Sequence, residues 1–203
     1  MKLSQRSHAG GRLRDRLRDE AAKAILQAAE QVFSEEGLGA GMERIAERAG
    51  VAVGTLYNHF EDRRALIDAL SCSRRGTLMA RLDAALDATE GKPARAQLTA
   101  FMAAVAEHAK EHGRLLTALV QAGEGPARAR PPSGILDVFS ARAERLVERC
   151  LASGELRREG AELHAVALVG MVRAGMVQAI QGSLPWERVT TCLVELFLTG
   201  AAP

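Results

Sequence analysis

A chain of 203 residues has room for one large domain or two small ones. Its hydrophobic content of 47% with only 3% aromatics implies a core of Ala, Leu, Val and Met, which favours packed helices over a β-sandwich or barrel. The formal net charge of +2 is close to neutral, but it is unevenly spread: residues 1–18 carry Lys2, Arg6, Arg12, Arg14, Arg16 and Arg18 against Asp15 alone, a net +5 on a mildly acidic remainder.

That basic segment reads as a disordered arm, because Ser7-His8-Ala9-Gly10-Gly11 is loop-like. Charge alone fits a nucleic-acid contact and a solvated tail equally well. A first helix is expected from about Asp19 to Glu36, with Ala22, Ile25, Leu26, Ala29 and Phe33 forming one apolar stripe and Gly37 as its stop. A short helix from about Met42 to Ala49 ends at Gly50, and another short one covers roughly Val53 to Phe60. Two short helices joined by a tight turn at Gly50-Val51-Ala52, with small Ala46 at the crossing, make a helix-turn-helix. Longer helical segments follow at about 62–87, 94–111, 114–121, 135–153, 161–181 and 186–199, with "TEGKP" and "GEGPARARPPSG" as breaks. The expectation is an all-α chain of about nine helices: a basic arm over 1–18, a helix-turn-helix domain over 19–64 and a helical domain over 65–203.

The segment "VAVGTLYNHF", residues 51–60, is uncharged, yet its second half is rich in hydrogen-bonding groups. With Leu56 and Phe60 pointing inward, Thr55, Tyr57, Asn58 and His59 are left on the exposed face. Gly54 lets a phosphate or base edge approach the backbone, and Arg63 and Arg64 can clamp a phosphate. Such a face suits a recognition helix lying in the major groove. The alternative, Tyr57 as a core residue, competes with Leu56 and Phe60 for the same inward space.

On "ILQAAEQVFSEEG" (25–37) and "IAERAGVAVGTLYNHFEDRRAL" (45–66), above all "GTLYNHF" followed by a basic residue, residues 19–70 resemble the DNA-binding domain of TetR-type bacterial transcriptional regulators. The remaining helices resemble that family in number and order only. The resemblance implies that Thr55, Tyr57 and His59 face phosphates and the groove, and that Arg63 stands where the family usually has a phosphate-binding Lys, a contact that Arg preserves. Val53, Gly54 and Asn58 are then the base-facing candidates. Two departures stand out. Ala40-Gly41-Met42 and Ala52 lack the hydroxyl caps that the family commonly places before these two helices, a loss of about 0.5–2 kcal/mol each.

In the C-terminal part, Phe101, Met102, Val105, His108, Leu119, Met171, Arg173 and Met176 are the candidate lining of an effector pocket, although each apolar one could equally be ordinary core. Arg173 lies within the apolar run "HAVALVGMVRAGMVQAI" and must be exposed, paired at an interface or facing a ligand anion. His108 and His112 have the i, i+4 spacing of a two-His metal site but lack a third ligand, and no metal or other cofactor is expected. Arg81, Arg128, Arg142 and Arg145 read as solvated. Cys72, Cys150 and Cys192 are too far apart for a ligand set and read as reduced, buried, small hydrophobes of a cytoplasmic protein. No apolar run reaches the ~18 residues of a membrane span, and no signal peptide is apparent.

The apolar helices at about 161–181 and 186–199, with Gly170 and Gly175 in the first, fit an isologous homodimer, which is also what the resemblance implies. The expected function is a cytoplasmic homodimeric repressor on palindromic double-stranded operator DNA, released by a small-molecule effector. The alternative is an effector-independent or architectural DNA-binding dimer with the same head. A helical enzyme has no nucleophile-base constellation or cofactor loop to support it.

Overall fold

The computed structural model describes residues 5–121, 135–180, 182 and 184–201. Among these it is helical and without strands: α1 (Gln5–Glu36), α2 (Met42–Ala49), α3 (Val53–His59), α4 (Arg63–Ala88), α5 (Ala94–Gln121), α6 (Ile135–Ala152), α7 (Ala161–Ile180) and α8 (Trp186–Ala201). Eight helices stand in place of the expected nine because α5 runs unbroken through Gly113. A glycine inside a helix costs about 1 kcal/mol relative to Ala, and Leu115, buried just beyond it, anchors the continuation. The expected loop over 123–134 lies outside the described residues.

The N-terminal expectation is also corrected. α1 begins at Gln5 and passes through Gly10-Gly11, so the basic segment continues the helix. Arg and Leu are strong helix formers, and Asp15 and Glu20 stand three and four residues from Arg18 and Arg16, spacings that favour the helix. The chain divides into two compact units, Met1–Ser73 and Arg74–Pro203. The boundary between these units falls inside α4, whose first turns bury Leu66, Ile67 and Leu70.

In the first unit α1 buries Ile25, Ala28, Ala29, Val32 and Phe33. The stripe is rotated slightly from the expected one, with Ala22 and Leu26 only half-buried. α2 contributes Met42, Ile45 and Ala46, and α3 contributes Leu56. Arg44 pairs with Glu36 (3.0 Å) and Glu47 (2.9 Å), and Arg48 with Glu35 (2.9 Å). The pairs to Glu36 and Glu35 tie α2 to α1, the one to Glu47 lies within α2, and each is worth at most about 1 kcal/mol.

The turn between α2 and α3 is closed by the backbone. Gly50 adopts φ +67°, its N–H donates to the Glu47 carbonyl (3.1 Å), and the Val51 N–H donates to the Ala46 carbonyl (3.0 Å). This pair of bonds is the Schellman arrangement, which satisfies the last carbonyls of α2 and turns the chain sharply.

In the second unit α5 packs on α7 and α8, and α7 also packs on α6 and α8. Leu82, Leu86, Leu98, Phe101, Val105, Leu146, Leu168 and Phe197 form the apolar centre of its core. The two glycines of α7 differ in role. A Cβ on Gly175 would stand 2.7 Å from Leu193 Cδ1 and Val189 Cγ1, so this glycine permits the close crossing with α8, whereas Gly170 faces open space.

A charged ladder joins α4 to α6. Arg142 reaches Asp83 (2.5 Å), Arg145 reaches Asp87 (2.7 Å) and Asp83 (3.7 Å), and Arg149 donates to the Leu86 carbonyl (2.7 Å) and lies 3.7 Å from Glu90. Arg142 and Arg145 were expected to be solvated. Arg142 is instead largely buried, and Arg81 pairs with Glu111 at 2.6 Å. Arg128 lies outside the described residues.

Replacing Gly50 by Ala meets no steric obstacle, since nothing lies within 4 Å of an added Cβ, but it keeps the positive φ. The variant is expected to lose about 1–2 kcal/mol of stability, read as a lower urea midpoint with an unchanged slope.

Candidate nucleic-acid interface and effector region

α3 has seven residues, "VGTLYNH", and Leu56 is its one buried side chain. Its first turn is set by the Thr55 and Leu56 N–H groups donating to the Ala52 carbonyl at 2.9 and 3.2 Å. Neither Ala52 before α3 nor Gly41 before α2 supplies a side-chain cap. The helix ends where Phe60 turns extended at φ −135°, its N–H donating to the Leu56 carbonyl. Phe60 therefore follows the helix instead of closing its inner face, and it is half-buried.

The candidate DNA contacts form one contiguous surface. Tyr57 is 45% and Val53 36% exposed, Gly54 and Asn58 are exposed, and Thr55 and His59 are half-buried. Packing does not require a glycine at 54, because nothing lies within 4 Å of an added Cβ. Arg63 is exposed at the start of α4, where the Asp62 carboxylate accepts the Ala65 N–H (2.7 Å) and caps that helix. Arg64 is exposed 4.0 Å from Asp68, and Arg14, Arg16 and Arg18 are exposed along α1. This part of the unit offers polar and aromatic side chains for groove contacts and guanidiniums for phosphates.

The candidate effector residues do not all converge. Phe101, Met102 and Val105 are buried in the second unit's core, and Met171 and Met176 are half-buried against it. The side chain of Leu119 lies outside the described residues. Arg173 does not join them: it is exposed on α7, on the face that also carries Val166, Gly170 and Val177. His108 is 3% exposed, and its Nδ1 has no hydrogen-bond partner among the described residues. Burial pushes its pKa down to about 4, helped by His112, Arg81 and Arg74 and opposed by Glu111. His112 lies one turn on, with ring centroids 4.6 Å apart. Sequence reasoning missed Arg74 and Arg81 as neighbours of His108, since they belong to a different helix. Among the described residues no group of three or more His, Cys, Asp or Glu could hold a metal, and no helix is long and apolar enough to cross a membrane.

A short, exposed helix carrying Tyr57, Asn58 and Thr55, set on a tight Gly50 turn behind α2, defines a helix-turn-helix DNA-binding protein. Residues 25–70 match the family model for bacterial regulatory proteins of the tetR family. The solved structures that resemble the chain agree. A TetR transcriptional regulator from Streptomyces coelicolor shares 27% identity at TM-score 0.58, over 90% of this chain and 98% of that one. A protein of unknown function from Rhodococcus sp. RHA1 shares 26% identity at TM-score 0.70, over 90% and 96%. The fatty acid degradation regulator FadR from Bacillus halodurans has the same fold at 18% identity and TM-score 0.71, over 87% and 94%. No curated protein matches the chain. The N-terminal head thus matches the tetR family, and the chain reads as a DNA-binding transcriptional regulator similar to that family.

Ala52 sits at φ −65°, ψ 145°, the backbone of a helix cap. Ala52→Ser is expected to raise stability by about 1 kcal/mol, measured by urea unfolding. His108 gives a pH dependence of known sign. Its folded pKa lies below its unfolded value of 6.5, so the unfolded chain binds the proton more tightly. Stability is therefore full above about pH 6.5 and falls as the pH drops towards 4, by on the order of 1–2 kcal/mol from this group. In His108→Leu, the decline between pH 6.5 and 5 is expected to be shallower than in the parent when unfolding is followed across that range.

Proposed function

We propose that the chain is a homodimeric cytoplasmic repressor whose two α3 helices read a near-palindromic operator, and that a small effector held in the C-terminal unit releases it. The observation that carries the reading is the exposed surface of Val53, Gly54, Thr55, Tyr57, Asn58 and His59 on α3, with Arg63 beside it, in a segment that matches the tetR model. Asn58 is suited to bidentate pairing with adenine, Tyr57 and Thr55 to the groove wall, and Arg63 to a phosphate. The arginines of the α1 extension add sequence-independent attraction, which weakens as salt rises.

The test is selection of bound DNA from a random pool, with and without candidate compounds. A palindrome with half-sites about one helical turn apart, depleted by one compound, is the expected result. Failure to enrich any palindrome would overturn the reading.

Dimerisation is supported by the outer faces of α7 and α8. Leu163, Val166 and Leu196 are 61%, 66% and 63% exposed in the single chain, and Gly170 and Ala174 beside them leave room for a partner helix to come close. Exposed aliphatic side chains in such numbers mark a contact surface, and a two-fold axis would bury the same face on both copies. Val166→Asp and Leu196→Asp are expected to keep the helical circular dichroism of the parent, sediment as monomers and lose operator affinity.

A further inference from the structure

We infer that two copies of the chain meet along α7 in antiparallel, and that Arg173 of each copy pairs with Glu162 of the other, an exchanged ion pair that sets the register of the interface. This rests on the dimer reading above and names the contact that makes it specific. The outward face of α7 carries Leu163, Val166, Gly170, Arg173 and Val177, all exposed, at alternating spacings of three and four residues. That is the spacing of a seam made to pack along another helix. Four of the five positions are aliphatic or bare, and the fifth is a guanidinium. Once a partner helix covers the seam, Arg173 loses water and needs an anion, because an unpaired buried charge costs far more than a paired one.

The acids of α7 and α8 are three. Glu187 is engaged by Lys110 at 2.7 Å and Glu195 by Arg95. Glu162, in the first turn of α7, is exposed, and among the described residues neither it nor Arg173 takes part in an ion pair. Glu162 borders the seam beside Leu163, a position from which charged side chains bridge paired helices. It points in nearly the same direction as Arg173 but three turns away, about 16 Å along the axis. The two side chains therefore do not meet within one copy.

Three ways of covering the seam differ in what they offer Arg173. Parallel pairing of α7 with its copy sets the two Arg173 guanidiniums side by side, a like-charge contact. Packing on the partner's α8 offers the exposed face of Arg188, Cys192 and Leu196, which holds no acid. Antiparallel pairing about a two-fold axis at the level of residue 168 brings the partner's Glu162 to Arg173, and symmetry makes the contact twice. The same axis sets Val166 against the partner's Gly170, whose missing side chain leaves room for it: an added Cβ there meets nothing within 4 Å in its own chain. Charge and shape thus agree on one axis.

The experiment is a charge exchange on the full-length protein, with the dimer dissociation constant read by sedimentation over a range of concentrations. Arg173→Glu and Glu162→Arg each set like charges against one another twice per dimer, and each is expected to raise that constant by about tenfold or more. The double variant Glu162→Arg with Arg173→Glu is expected to return close to the parent, a rescue that a merely structural role for either residue does not give. High salt should narrow the gap between the single variants and the parent. Both side chains are exposed in the single chain, so the parental helical circular dichroism is kept. Single variants that dimerise as the parent does, or a double variant no tighter than the singles, overturn the pairing. The two readings fail separately. A parent that stays monomeric at every concentration removes the dimer. A dimeric parent that Val166→Asp dissociates, but that neither charge reversal affects, keeps the dimer and removes the ion pair.

Discussion

A helix of seven residues does not persist in water by itself, so the surface presented by α3 exists only because Leu56 is wholly buried among the side chains of the first unit. The Gly50 turn delivers the chain to that anchor at a fixed angle, and the Ala52 carbonyl starts the helix without help from any side chain. Tyr57, Asn58 and Thr55 are arranged by that one buried leucine and by a backbone turn. Neither of these touches DNA in the proposed complex, yet both determine what does.

α4 belongs to both units. Its first turns bury Leu66, Ile67 and Leu70 with the head, and its later turns bury Leu78, Leu82 and Leu86 in the second core. Arg63 lies near one end of this helix, and Arg74 and Arg81 lie further along it.

Much of the head was legible in the sequence because its signals are local. The apolar spacing of Ile45 and Ala46, the glycine at 50 and the polar run after Gly54 each act within one or two turns. The errors come from glycines and from partners distant in sequence. Gly10-Gly11 and Gly113 looked like breaks, yet each sits within a helix whose neighbours are strong helix formers or well buried. Arg142 looked solvated because Asp83 lies 59 residues earlier. Arg173 could not be oriented because α7 is apolar on both sides, and no stripe distinguishes the core side from the open one. The polar neighbours of His108 were hidden for the same reason as the ladder: they come from another helix.

The α4–α6 ladder has a mechanical side. Asp83 and Asp87 stand one turn apart on α4 with Glu90 just beyond its end, and Arg142, Arg145 and Arg149 recur about one turn apart on α6 in the same direction. Sliding α6 along α4 by about half a turn, roughly 2.7 Å, would leave the guanidiniums between carboxylates, so the ladder favours the one register in which each arginine meets its acid.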